Sequence, residues 1–348
     1  MKYSRILPTL LLALLLAAGS ADADKYAGEF MAKGTGARPL AMGGAFSAVA
    51  DDANAVYFNP GALAFQEKSS ASLMHSERFG GLVQVDHGAF LYHADLNGRP
   101  STLAFSVLRV GVDEILFTGD HPFNDLDGNG EFSGPEELPA EIDPSYFRTV
   151  QDAEWAVHGA YSRMYGDWAV GAALKVIYQS VGEYNSFGFG LDAGILSPLT
   201  PGNLRFGLRV ADLSATFIAW NTGVQEIIRP SLRPGVSWRK RLPALQAELL
   251  LASDLDIRFD SLGSAADLSL GLVSVDPHLG MELTLLEVVS LRAGYDAGDW
   301  TLGGGLHLLG KRGFLPAFAY CSELTLDYGF GSHEELDGSH RVGLALRF

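Results

Sequence analysis

The stretch Asn203–Val210, NLRFGLRV, places Leu204, Phe206, Leu208 and Val210 at every second position, with Arg205, Gly207 and Arg209 between them. Side chains of an extended strand alternate between two faces, so this octapeptide has one apolar face and one that is cationic or bare. The same beat returns along the chain. Residues 289–295 set Val289, Leu291, Ala293 and Tyr295 against Ser290, Arg292 and Gly294, and Trp300, Leu302, Leu306 and Leu308 alternate with Thr301, Gly303, Gly305 and His307. Leu324, Leu326, Tyr328 and Phe330 likewise alternate with Glu323, Thr325 and Asp327. The last eight residues, Arg341-Val342-Gly343-Leu344-Ala345-Leu346-Arg347-Phe348, end on an aromatic side chain.

Arginine, carboxylates and glycine on the second face would pack poorly into a dry core, but they suit a narrow, wet or plugged lumen. The pattern therefore predicts an all-β fold: an antiparallel transmembrane β-barrel whose apolar faces meet lipid. Fifteen segments follow the beat, from 69–76 to 339–348, including 101–110, 152–164, 243–256, 265–275 and 277–286. A bend at Pro277 would join the last two, and closure with both ends on one side favours an even number, about 14. Composition agrees, with 47% hydrophobic and 19% charged residues and 41 glycines. Beyond the first segment no apolar run reaches the roughly 18 residues of a helical span. Trp155, Trp168, Trp238, Trp300, Tyr178, Tyr295 and Tyr328 fall at strand ends, where interfacial aromatics belong.

Residues 1–23 read as an export signal: Lys2 and Arg5, an apolar run from Leu7 to Ala18, then Ala21-Asp22-Ala23 as a cleavage site. A net charge of −16 without a basic cluster excludes nucleic acid as a partner. Cys321 alone excludes an internal disulfide framework. The nine histidines are scattered, none in a metalloprotease spacing, and no G-x-S-x-G elbow occurs, so no enzyme is expected.

Residues 24–67 lie outside the strand rhythm. Met42-Gly43-Gly44 precedes small and apolar residues, and Asn59-Pro60 opens a turn. The stretch reads as an ordinary leader or as a hatch in the barrel mouth, with Asp51, Asp52 and Asn54 meeting luminal cations. Residues 68–348 then form the barrel. Its luminal charges include Arg205, Arg209, Glu282, Arg292, Glu323, Asp327, Arg341 and Arg347, and these are expected to pair.

An insertion at 111–150 contains Asp125-Leu126-Asp127-Gly128-Asn129-Gly130 followed by Glu131 and Glu136, which matches the spacing of a calcium loop. Asp125, Asp127, Asn129, the Glu131 carbonyl and Glu136 could hold a structural Ca2+ as a clip, although no flanking helices are evident. Phe217–Arg233, with Trp220, Ile227 and Ile228, reads as a loop between strands that covers the barrel mouth or docks a partner.

Several segments carry a resemblance: Gly36-Ala37-Arg38, Met42-Gly43-Gly44-Ala45, Ala50-Asp51-Asp52-Ala53 and Tyr57-Phe58-Asn59-Pro60 at the start, then His278-Leu279-Gly280-Met281-Glu282, Leu291-Arg292-Ala293-Gly294-Tyr295, Leu326-Asp327-Tyr328 and Ser339-His340-Arg341. With these, nearly the whole chain after residue 23 resembles the PorV/PorQ-type outer-membrane barrels and the wider FadL-like hydrophobic-compound transporters. The resemblance implies 14 strands, an N-terminal hatch, a bacterial outer-membrane location, and recognition of Phe348 by barrel-assembly machinery. It implies one of two functions: passage of small hydrophobic molecules through a hatch-gated lumen or lateral opening, or a secretion and surface-attachment role with a protein partner. Gly61 stands where the transporter pattern commonly has alanine.

Overall fold

A computed structural model describes residues 28–32, 34–96, 98–117, 124–126, 128, 133–137, 147–260, 262, 266–309, 321–333 and 338–348. Seventeen strands form one antiparallel sheet. In chain order they are β1 (Ser70–Arg78), β2 (Val83–Asp95), β3 (Pro100–Phe117), β4 (Arg148–Tyr165), β5 (Trp168–Val181), β6 (Tyr184–Leu196), β7 (Leu204–Ala211), β8 (Thr216–Trp220) and β9 (Gln225–Ile228). Then follow β10 (Ser231–Leu242), β11 (Ala247–Arg258), β12 (Leu268–Leu270), β13 (Val273–Leu285), β14 (Val289–Asp296), β15 (Asp299–Leu309), β16 (Glu323–Gly331) and β17 (Ser339–Arg347). β17 pairs back onto β1 from Ser70↔Arg347 to Glu77↔His340, which closes a 14-stranded barrel. β8 and β9 continue the wall formed by β7 and β10, and β12 is a three-residue return onto β13. No helix of the described residues is long and apolar enough to cross a membrane.

The period of two becomes an inside and an outside. Leu73, Leu174, Leu291 and Leu302 point outward and are 64, 54, 54 and 58% exposed, so no second layer covers the apolar face. Lys175, Asp192, Arg292 and Arg341 point inward and are buried. An open wall with its greasy side out and its charges sealed in reverses a soluble protein, and it is the arrangement of a barrel in lipid. The end that carries the 118–147 and 259–272 connections is here called the loop end, and the opposite one the turn end.

Three expectations change. β3 runs on to Phe117 and β4 begins at Arg148, so the connection between them is 118–147 rather than 111–150. Both strands keep their ladder past a register shift between Val112 and Ile115. Segment 265–275 is no wall strand: β13 passes through Pro277, one residue beyond its last pair with β14, His278↔Asp296. Phe217–Arg233 is largely the β8–β9 hairpin, in which Thr216↔Ile228 through Ala219↔Gln225 form a ladder around the Asn221–Gly223 turn.

Candidate functional site

The lumen is filled by residues 28–66, which include the short helices α1 (Ala37–Ala41) and α2 (Ala55–Phe58) and the 3-10 turn Pro60–Phe65. Met42, Phe46, Val56, Phe58 and Leu63 form its own small core, each no more than 2% exposed. This hatch rides backbone against backbone on the wall. A Cβ added at Gly171 would collide with the Pro60 carbonyl, at Gly207 with Ser47, at Gly280 with Met42, at Gly294 with the Gly43 amide, and at Gly329 with Ala37. Gly61 in turn lies on the Gly194 carbonyl, which explains why no alanine stands there. Much of the chain's glycine therefore marks where hatch and wall touch.

Polar side chains fix this seam. Asn59 Nδ2 donates to the carbonyls of Ser47 (2.8 Å) and Ile195 (3.1 Å), while its Oδ1 accepts from Gly61 N. The wall carboxylate of Asp254 accepts from the amides of Phe46 (2.9 Å) and Ser47 (2.8 Å). His278 Nδ1 lies 3.0 Å from the Gly43 carbonyl, and the Gly43 amide donates to Thr301 Oγ1 at 3.1 Å. Asp254, His278 and Thr301 had no place among the sequence candidates. Their inward position in alternating strands was the available signal.

An ion network ties the hatch to β10, β13–β14 and β16–β17. Arg38 donates to both oxygens of Glu282 (2.8 and 2.9 Å) and also bonds Asp51 and, at 3.5 Å, Asp52. Arg292 bridges Glu282 and Asp327, each at 2.6 Å. Arg239 reaches Asp51 at 2.8 Å, and Arg347 reaches Glu323 at 3.1 Å and the Asp51 carbonyl at 2.9 Å. Burial alone would raise the Asp51 carboxyl, yet Arg38 and Arg239 hold it well below the ordinary range; burial pushes its neighbour Asp52 up. Asn54 meets no cation: its amide donates to Asp52 Oδ1 at 2.8 Å. Arg205 lies over the Phe65 ring at 4.7 Å, and Arg341 donates to the carbonyls of Gly34 and Gly36. Arg209 pairs with Asp192 at 3.0 Å, and Glu154 accepts from Gln179 instead of an arginine.

A cavity lies on each side of the hatch. The turn-end cavity, ≈ 560 Å³, sets Arg38, Asp51, Asp52, Arg239 and Glu323 beside apolar residues such as Pro243 and Leu286. The loop-end cavity, ≈ 140 Å³, is amphipathic, with Met31, Ile227, Ile228, Phe259 and Leu262 opposite Lys175, Arg209 and Arg233. Those cations are matched from within the chain, Lys175 by Asp192 (3.1 Å) and Asp212 (2.5 Å), and Arg233 by Asp256 (2.8 Å).

Beside the loop-end cavity the ladder of the wall lapses into a bulge, bridged to β6 by a backbone bond from Leu213 N to the Leu191 carbonyl at 2.7 Å. β6 pairs with β7 up to Ala193↔Val210 and resumes with β8 at Phe189↔Phe217. Three residues of β6, 190–192, thus face six of its partner, 211–216, and the three extra residues bulge out of the ladder. Within the bulge Asp212 and Ala215 have φ of 55° and 56°. β9 and β10 break at the same level, between Ile228↔Thr216 and Ser231↔Ala211. The Asp212 carboxylate accepts from Thr216 Oγ1, and the Asp212 amide donates to Asp192 Oδ1 at 2.9 Å, which pins the bulge to the luminal charges. On β6, Gly188 and Gly190 leave room for Phe217 and Thr216 to press against it.

Of the expected calcium ligands, Asp127, Asn129 and Glu131 lie outside the described residues. Asp125 Oδ1 accepts from Gly128 N at 2.7 Å, and Glu136 is exposed. Buried Glu137 holds the loop together by accepting from the amides of Leu126 (3.1 Å) and Ser133 (2.6 Å). No cluster of three metal-ligating side chains occurs among the described residues.

No protein-family model and no curated protein matches the chain by sequence. Solved structures do match its shape. The toluene transporter TodX of P. putida superposes with a TM-score of 0.54 at 13% identity, covering 91% of this chain and 99% of TodX. A deltaS2 mutant of the TodX monoaromatic hydrocarbon channel gives 0.51 at 12% identity, over 90% of this chain and 97% of that one. The chain thus shares the fold of these barrels.

Proposed function

We propose that this chain is a bacterial outer-membrane protein that passes small hydrophobic molecules from the loop-end cavity sideways through the bulged wall into the bilayer. The observation that carries this reading is the coincidence of two breaks, at 212–215 and 229–230, with a cavity whose apolar lining includes Ile227 and Ile228. A continuous ladder satisfies every backbone group and leaves no exit for a solute; a bulge frees a few of those groups and admits one. The straight route past the hatch is filled by its core and by the Arg38 network, so a lateral path asks for less rearrangement. The likeness in fold to TodX, a toluene transporter and monoaromatic hydrocarbon channel, supports a small aromatic as the type of solute.

Deleting Leu213–Ala215 tests the reading, because it brings β7 and β8 into one register with β6. In proteoliposomes the wild type should speed uptake of radiolabelled toluene over protein-free vesicles, and the deletion should return it to baseline while the barrel stays folded. Undiminished uptake through the deletion variant would refute a route at this break.

The sealed, charge-paired lumen favours a second reading, a PorV-type secretion or surface-attachment component with a secreted protein as partner. It predicts no toluene uptake in either form. Under both readings Ca2+ bound by Asp125, Asp127, Asn129, Glu131 and Glu136 would clip the 118–147 connection. Calorimetry should then give binding heat with wild type that Asp125→Ala abolishes; equal heats would remove the metal.

A further inference from the structure

Most of the ionisable side chains on the wall point inward; among the exceptions are Arg163, over the Tyr165 ring, and a group toward the loop end that includes Glu77, 3.9 Å from His75. His75 on β1, Asp86 on β2 and Arg109 on β3 project from the outer face, and the register His75↔Asp86↔Arg109↔Trp155↔Tyr178 sets them in one row. Asp86 holds the group together, with His75 Nδ1 at 2.8 Å and Arg109 at 3.4 Å, and the Arg109 guanidinium lies 5.8 Å from the centre of the Trp155 ring. The height of the row is fixed by aromatics. Trp155 and, at the turn end of the same strand, Tyr165 are ten positions apart on β4, about 33 Å along the strand and about 25 Å in height once it is tilted, the height of a barrel's apolar band. The charged row therefore stands where hydrocarbon gives way to headgroups on the loop side.

From this row a shallow groove of ≈ 660 Å³ descends toward the turn end. Its floor is made by Leu73, Gly88, Val107, Leu326, Val342 and Leu344. Gly88, flanked by Leu73 and Val107 in the ladder, leaves the wall thin there. Polar groups at the rim and an apolar bed below match the polarity of a single amphiphile standing in the loop-side leaflet. Charges on a lipid-facing wall cost stability unless they are satisfied, and Arg109 uses one long contact out of five donors.

We infer that this groove binds one acylated, phosphorylated lipid: the chain lies on Leu73 and Val107, and the phosphate accepts hydrogen bonds from Arg109 beside the Trp155 ring. Asp86 fixes the guanidinium and His75 and does not itself touch the phosphate. The inference rests on the chain being a bilayer barrel, but not on what it transports.

Trp155 supplies the readout. The full-length protein is placed in phosphatidylcholine nanodiscs containing one-tenth of either acyl-brominated phosphatidic acid or acyl-brominated phosphatidylcholine. Bromine quenches tryptophan within contact, and Trp155→Phe isolates the share of Trp155. Phosphatidic acid should quench Trp155 about fivefold more effectively, the size of one surface cation's pull on an anionic lipid. Arg109→Gln should abolish the preference and Arg109→Lys restore part of it, with heat-modifiable gel mobility confirming a folded barrel in each. Equal quenching by the two lipids, or a preference that survives Arg109→Gln, would overturn the site. Quenching of Trp155 by neither lipid, with Trp168 and Trp300 still quenched, would mean that protein covers the groove, and would also overturn it. Loss of quenching at every tryptophan would instead refute the bilayer reading.

Discussion

The β13–β16 sector and the β6–β10 sector of the wall face the same hatch and are built in opposite ways. In the first, every ladder is continuous from Leu285↔Val289 to Gly331↔Ser339, the hatch backbone sits on Gly280, Gly294 and Gly329, and Arg292 is clamped between two carboxylates. In the second, two adjacent strands break at one height, and the charges of Lys175, Asp192 and Asp212 hold a bulge in place instead of bridging hatch and wall. Buried charge has a different task in each. One sector uses it to anchor the plug; the other, apart from Arg239 at its turn end, uses it to pin the loosest part of the wall beside an amphipathic cavity.

That contrast can be broken by mutation. Arg292→Met leaves Asp327 without its partner and Glu282 with Arg38 alone. It should destabilise the barrel by about 3–5 kcal/mol in urea unfolding from lipid vesicles. It should also expose the hatch to protease while leaving solute uptake through the other sector measurable. Asp212→Asn removes a carboxylate whose cation, Lys175, keeps Asp192. Its cost should be smaller, about 1–2 kcal/mol, the worth of a charged hydrogen bond. Because the bulge is then less firmly held, toluene uptake should rise. A larger loss of stability for Asp212→Asn than for Arg292→Met would mean that the two sectors have been assigned the wrong roles.

Much of this was legible in the sequence, and unevenly so. The wall could be read because its rule is local: a residue's neighbours two positions away reveal its face, as in Leu204-Phe206-Leu208-Val210. The hatch could be placed through Met42-Gly43-Gly44 and Asn59-Pro60, where only close backbone approach explains the composition. Partners across the lumen were partly legible. Opposite charges on inward faces suggest pairs such as Arg209 with Asp192 and Arg347 with Glu323, but Arg205 found an aromatic ring and Arg341 found carbonyls. The bulge was hidden, because Asp212 and Ser214 read as the end of a strand, and the return of the wall at Thr216 exists only against the register of β6. Arg38, the hub of the hatch, stood inside a recognised segment, yet its bond to Glu282 spans 244 residues and no local rule reaches that far.

The most direct test of lateral passage is anomalous diffraction from crystals soaked in an iodinated monoaromatic. The account predicts iodine peaks in the loop-end cavity beside Ile227 and Ile228 and at the outer mouth of the 212–215 bulge. Peaks confined to the charged turn-end cavity, with the bulge empty, would contradict it.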